Sequence, residues 1–138
     1  MQDEEATEPD AEARETAYEL LQRGQALLRR RHNAQAAIVL ERAAALEPGR
    51  GSILEALGRA VYNAGNHPRA LEVFEVLLNV DPSSGYGHFA LAQSLRKVGR
   101  GREAVVHLRL ACALEPASPL YRGALSRAIT GLGYPPRD

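Results

Sequence analysis

The sequence has no tryptophan and few aromatic residues of any kind, which limits the core that it can build. Aromatic residues make up only 5% of the chain, whereas apolar residues as a whole make up 45%. The core must therefore consist mainly of alanine, leucine and valine packed at close range, which suits helices better than sheets. The chain is long enough for one small domain and leaves no room for a second.

The chain also lacks the usual features of secreted and membrane proteins. Its one cysteine, Cys112, cannot form an internal disulfide. The first residues are acidic, where a signal peptide has a basic start followed by an apolar stretch. No apolar run approaches the roughly 18 residues needed to cross a bilayer. We therefore expect a soluble, cytoplasmic protein that has no contact with a membrane.

Patterns typical of catalytic and metal sites are missing as well. The histidines have no metal-ligand spacing, and no cysteine or carboxylate cluster accompanies them. No nucleophile motif or paired-carboxylate arrangement is present. We expect a protein that is not an enzyme and that uses no cofactor or metal. The four histidines are interpreted as turn or packing residues: His32, His67, His88 and His107.

What the sequence does contain is a repeat marked by three prolines. Each proline ends a similar three-residue phrase, and successive phrases are 34 residues apart. The phrases are Leu46-Glu47-Pro48, Val80-Asp81-Pro82 and Leu114-Glu115-Pro116. An interval of this length is typical of a helix-turn-helix unit that stacks on copies of itself. We expect three units, at residues 17–50, 51–84 and 85–118.

Small residues and large apolar residues recur at matching positions of these units. A small residue in each first helix should let the paired helices approach closely, while a large residue in each second helix fills the core. The small residues are Gly24, Gly58 and Ala92, and the large ones are Leu40, Phe74 and Leu108.

Turn and capping signals separate the predicted helices. Gly65-Asn66-His67-Pro68 marks a turn, with the proline suited to the start of a helix. Ser52 followed by Glu55 predicts a capping box, in which each side chain bonds to the other residue's backbone N–H. Ser84 and Ser118 predict the N-caps of later helices.

On these residues the sequence resembles the tetratricopeptide repeat family, from residue 17 to about residue 132. His88 is a departure, since an aromatic residue or leucine is common there. The resemblance implies an all-α, right-handed α-solenoid of three helix-turn-helix units plus a solvating cap helix, seven helices in total. Unit 2 matches the family pattern best, through Leu54, Leu57, Gly58, Tyr62, Gly65, Asn66, Ala70, Phe74 and Pro82.

Residues 119–132 are predicted to form the cap, a first helix without a second helix after it. Leu125 and Ile129 continue the buried stripe, while Arg122 makes the outer face polar, as a terminal helix requires. The predicted repeat domain thus covers residues 11–132, and residues 133–138 form a short C-terminal tail.

The net charge of zero hides an uneven distribution. Residues 1–15 carry seven acidic residues against one arginine, a net charge of −6, and residues 16–138 carry sixteen basic against ten acidic residues, a net charge of +6. We predict that residues 1–10 are a disordered acidic tail. This tail could lie across the arginines and regulate binding, but a solubilising role is the simpler interpretation.

The family resemblance also implies a binding surface, because the first helices of successive units line a concave groove. Aromatic rings there suit apolar anchors, amides suit a peptide backbone, and guanidinium groups suit carboxylates. The alternative is that the rings merely pack between units. The predicted groove residues are Leu21, Gln25, Leu28, Arg59, Tyr62, Asn63, Tyr86, Phe89, Gln93, Arg96, Lys97 and Arg127.

Members of the family that bind chaperones hold a C-terminal carboxylate in a clamp of lysine, arginine and asparagine. The matching positions here are Leu21, Gln25, Ala56, Tyr86 and Ala90. We therefore expect an adaptor or scaffold that binds a protein or peptide segment with acidic or aromatic residues, and not an Hsp70 or Hsp90 adaptor. We also expect a monomer.

A second hypothesis is that the net-positive body binds nucleic acid through its phosphates. It is less favoured, because the basic residues are scattered over both helices and the turns. No aromatic stacking platform lies among them along one track.

Overall fold

A computed structural model describes residues 15–133, which form seven α-helices and no strand. The all-α class and the helix count predicted from the sequence are confirmed for this part of the chain. The acidic tail predicted at residues 1–10 lies outside the described residues, as does the C-terminal tail beyond residue 133. The helices are α1 (Ala17–Arg29), α2 (Asn33–Leu46), α3 (Gly51–Asn63), α4 (His67–Val80), α5 (Gly85–Lys97), α6 (Gly101–Leu114) and α7 (Pro119–Gly131).

The helix boundaries repeat with the interval seen in the sequence. The first helix of each unit and the cap helix begin at residues 17, 51, 85 and 119, and the second helices begin at residues 33, 67 and 101. Each helix packs on the next one along the chain, and α1 also contacts α3. This nearest-neighbour packing is the arrangement of a helical solenoid.

The residue before each first helix is the N-cap, and three of these four residues cap with a hydroxyl group. Ser84 accepts a hydrogen bond from the Gly87 N–H at 2.8 Å, and Ser118 accepts one from the Tyr121 N–H at 3.2 Å. Both of these N-caps were predicted. The fold also has a capping box that sequence reasoning missed, at the start of α1, between Thr16 and Glu19.

The capping box predicted at Ser52 and Glu55 is wrong. Helix α3 begins at Gly51, so Ser52 lies inside its first turn, and the N-cap is Arg50, whose side chain makes no capping hydrogen bond. The Arg50 guanidinium instead pairs with the Glu47 carboxylate. The stacking register places the helix start one residue before the serine, and this overrides the local capping preference.

Each first helix is followed by a residue in the left-handed backbone conformation. Gly65, Gly99 and Gly133 have φ values of 92°, 85° and 81°, and Arg31 has φ of 64° at the same position of unit 1. Glycine adopts this conformation without steric cost because it has no Cβ atom. The repeat geometry therefore imposes a left-handed residue even where the sequence supplies an arginine.

The small residues predicted to allow close helix approach do so in the first two units. A Cβ atom added to Gly24 would lie 2.4 Å from Leu40 Cγ, and one added to Gly58 would lie 2.4 Å from the Phe74 ring. Leu40 and Phe74 are themselves almost completely buried. In these two units the backbone of the first helix therefore packs directly against a large side chain of the second helix.

No helix among residues 15–133 has the length and apolar character that a membrane-spanning segment requires.

Candidate functional site

A cavity of about 300 Å³ lies between the first helices of units 2 and 3. Most of its wall comes from α3 and α5, and the buried ring of Phe74 on α4 contributes as well. Aromatic and small apolar groups thus dominate a surface that also carries a guanidinium and two amides. The lining residues are Arg59, Tyr62, Asn63, Phe74, Tyr86, Phe89, Ala90 and Gln93.

Half of the predicted groove residues meet in this cavity. The six are Arg59, Tyr62, Asn63, Tyr86, Phe89 and Gln93. Of the others, Gln25, Arg96, Lys97 and Arg127 are exposed on first helices but do not line it. Leu28 is partly buried against the core.

The expectation that Leu21 faces the groove is wrong. Its side chain is only 8% exposed and belongs to the hydrophobic core. Helix α1 contacts both α2 and α3, so a broad stripe of α1, including Leu21, is covered. Little surface of this residue remains for a partner to contact.

The aromatic rings of the cavity are held in place by one another. Tyr86 packs edge-on against Phe74, with ring centroids 6.1 Å apart, and Phe89 stacks on Tyr121 of the cap helix at 5.1 Å. Tyr62 meets His67 edge-on at 4.6 Å. Tyr62, Tyr86 and Phe89 remain half-buried. These three rings pack against neighbours, as the alternative interpretation held, and also line the cavity.

Sequence reasoning missed three residues that build this site. Phe74 was assigned only to the core, although its ring reaches the cavity wall past Gly58. Ala90 gives the cavity part of its depth because its side chain is small. Tyr121 supports Phe89 from the cap helix. An aromatic residue in the first turn of the cap was the one signal that could have indicated this support.

Two tyrosines at the site have raised pKa values. Burial raises the pKa of the Tyr62 hydroxyl, and Arg96 partly opposes this effect. Burial also raises the pKa of Tyr121, and there Glu115, Tyr86 and Glu55 add to the increase. Both tyrosines therefore stay neutral near pH 7.

Arg59 and Gln93 are the polar groups best placed to bind a ligand in the cavity. The Arg59 guanidinium carbon lies 5.4 Å from the centroid of the Tyr86 ring, a cation–π contact that orients the side chain. The Gln93 Oε1 atom is buried and accepts no hydrogen bond from any described residue. Buried acceptors are normally satisfied, and a rotation of the Gln93 amide toward the cavity would bring this atom to a donor there.

Two histidines that the sequence separates by 19 positions form a pair between α5 and α6. His88 Nδ1 and His107 Nδ1 lie 3.0 Å apart, and His88 Nε2 lies 3.0 Å from the Pro82 carbonyl oxygen. The carbonyl can only accept, so His88 donates to it through Nε2–H. In the neutral pair, His107 then donates its Nδ1–H to His88 Nδ1. No group of three or more potential metal ligands occurs in residues 15–133.

Acidification is expected to destabilise the fold through His107. Burial lowers the pKa of His107, as does the neighbouring His88, while Glu103 and Glu75 partly oppose them. Below the ordinary histidine pKa of 6.5, the unfolded chain therefore binds more protons at this position than the folded chain. The free energy of unfolding should fall as the pH is lowered from about 7.5 to about 5.5.

Urea denaturation at a series of pH values measures this effect. The variant His107→Gln should show a weaker pH dependence than the unmodified protein over that range. The matched control is His32→Gln, at an exposed turn position, which should keep the original dependence. Equal pH slopes for His107→Gln and the unmodified protein would contradict the prediction.

Comparison with known proteins identifies the fold family. A sequence model described as tetratricopeptide repeat matches residues 21–87. Many solved structures are similar, and one is the first TPR of Spaghetti (RPAP3) bound to an HSP90 peptide, SRMEEVD. It has a TM-score of 0.81 at 13% identity, and the match covers 86% of this chain and 94% of that one.

Two further neighbours illustrate the range of proteins with this fold. The Sgt2 TPR domain from Aspergillus fumigatus has a TM-score of 0.78 at 19% identity, covering 88% of this chain and 86% of that one. The Yersinia enterocolitica type III secretion chaperone SycD, in complex with a peptide of the translocator YopD, has a TM-score of 0.71 at 19% identity, covering 84% and 88%. A search of curated proteins finds no match. At these identities the structural likeness establishes the fold alone.

Proposed function

The chain belongs to the tetratricopeptide repeat family, and we propose that it is a non-enzymatic adaptor that binds an extended segment of a partner protein. The segment would lie along the first helices α1, α3, α5 and α7, which we call the first-helix groove. The observation that carries this proposal is the ring-lined cavity between α3 and α5. Two structural neighbours were solved with a bound peptide, which supports the same class of function.

The chemistry of the cavity suits a polypeptide better than other ligands. Its aromatic rings bind apolar side chains, and Asn63 and Gln93 offer amides to a peptide backbone. The groove surface is short, so we expect weak and reversible binding.

The nucleic-acid hypothesis has less support, because several arginines are already paired with carboxylates. Arg69 bonds to Glu41 at 2.8 Å and to Glu72 at 3.2 Å, and Arg100 bonds to Glu103 at 2.6 Å. Arginines engaged in this way have less charge to offer to phosphates. A loss of binding to RNA or DNA with added salt would be the sign of this alternative.

Other sequence-based expectations stay predictions. They are the absence of a role as an Hsp70 or Hsp90 adaptor, the monomeric state, the cytoplasmic location and any regulatory role of the acidic tail.

Selection from a random dodecapeptide library displayed on phage tests the proposed function. Peptides enriched on the full chain should lose binding to the double variant Tyr86→Ala with Arg96→Ala. The matched control is Arg109→Ala with Leu110→Ala, on exposed positions of the second helix α6, which should bind normally. Circular dichroism checks that both variants fold. The absence of any enriched peptide, or equal binding to the groove variant, would refute the proposal.

A further inference from the structure

The cavity between α3 and α5 has the size, lining and charges to select one kind of partner segment. Resting on the proposed function, we infer that it takes one aromatic or large aliphatic side chain of that segment. We further infer that a carboxylate lies close to this anchor in the segment, within reach of the exposed cations of α3 and α5. The partner is thus an acidic peptide with an apolar anchor.

The size of the cavity limits its occupant to a single side chain. Its volume of about 300 Å³ is at the lower end of the about 300–1,000 Å³ typical of small-molecule sites. The walls are the rings of Tyr62, Phe74, Tyr86 and Phe89, with the methyl group of Ala90 between them. Such walls favour an aromatic or aliphatic group that is removed from water on binding.

Gln93 adds a requirement for a hydrogen-bond donor beside the anchor. Its Oε1 atom is buried and has no partner among the described residues, yet the residue lines the cavity. An extended segment that inserts a side chain brings its own backbone N–H groups to the cavity mouth. One of these N–H groups can donate to Gln93 Oε1 once the side-chain amide rotates toward the cavity, and the acceptor then gains the partner that it lacks.

The charges explain why the segment should be acidic. Arg59, Arg96 and Lys97 make no ion pair within residues 15–133, in contrast to Arg69 and Arg100. All three are exposed along α3 and α5. A carboxylate that approached them would gain charge-assisted hydrogen bonds without breaking an existing pair.

The sequences of the library-selected dodecapeptides test this inference. Enriched peptides should share one aromatic or large aliphatic residue and an aspartate or glutamate within a few positions of it. In fluorescence anisotropy, replacing the anchor of a selected peptide with alanine should weaken binding at least about tenfold. Replacing its acidic residue with lysine should weaken binding about threefold, with a smaller effect in high salt.

Protein variants locate the two parts of the recognition. Ala90→Leu fills the cavity and should abolish the preference for a large anchor, and Arg96→Glu should select peptides that carry lysine or arginine instead of acids. If Ala90→Leu does not fold, Gln93→Leu, which removes the buried acceptor at similar volume, should weaken the same peptides. Matched control peptides with asparagine or glutamine in place of the acidic residue should bind less tightly.

The outcomes separate this inference from the proposed function. Peptides that bind the groove without a shared apolar anchor, or that favour basic residues, would overturn the inference and leave the binding function intact. Peptides that bind Ala90→Leu and the unmodified protein equally would overturn it as well. The absence of any groove-binding peptide would overturn both.

Discussion

Truncation of Phe74 to alanine is expected to lower the free energy of unfolding by about 3–5 kcal/mol, the usual cost of removing a buried aromatic ring. The Phe74 ring is 1% exposed and fills the space against the backbone of α3 at Gly58. It also supports Tyr86 of the next unit through an edge-on contact. The loss thus reaches beyond unit 2, since stacked repeats depend on contacts with their neighbours.

Urea denaturation followed by circular dichroism measures this loss. The matched control is Val76→Ala on the same helix α4, where the valine is 43% exposed, and the change there should stay below about 1 kcal/mol. A loss for Phe74→Ala no larger than that of the control would show that the ring does not hold the two units together. Because Phe74 lines the cavity, the same variant should also bind selected peptides less tightly.

Much of the helical framework could be predicted from the sequence, because several residue types recur with the same 34-residue interval. The recurring prolines, the small residues and the N-caps Ser84 and Ser118 all agree on one register. The capping box at Ser52 failed because the pattern is local, whereas the start of α3 is decided by stacking on α2. Where a local signal and the repeat register disagreed, the register was the better guide.

The candidate site could be predicted only in part. The periodicity places Tyr62, Tyr86 and Phe89 on first helices, and these three residues do line the cavity. The periodicity could not show that Leu21 is buried, because its burial depends on how α1 packs against α3. The contact between His88 and His107 was also beyond the sequence, since it depends on side-chain rotamers across two helices.

Substitution of Gly58 with alanine tests whether close helix approach is a requirement of the fold. The new Cβ atom would lie 2.4 Å from two atoms of the Phe74 ring, which is buried and is backed by Tyr86. Alanine favours a helix over glycine by about 1 kcal/mol, but overpacking a filled core typically costs about 1–3 kcal/mol. Because the buried ring has no space to move into, the cost should lie near the upper end of that range, and we expect a net loss of about 1–2 kcal/mol in urea denaturation. The control Gly131→Ala, at a helical glycine with open space around it, should be neutral or stabilising.

A double variant separates this steric conflict from other effects of the substitution. Unit 3 has Ala92 and Leu108 at the positions of Gly58 and Phe74, and both are completely buried. The pair Gly58→Ala with Phe74→Leu reproduces that combination, so the alanine should cost much less beside a leucine than beside the phenylalanine. Residues in contact typically show coupling energies of about 0.5–3 kcal/mol, and we expect a favourable coupling within that range. An alanine that cost the same in both backgrounds would mean that its effect comes from the helix backbone and not from the ring.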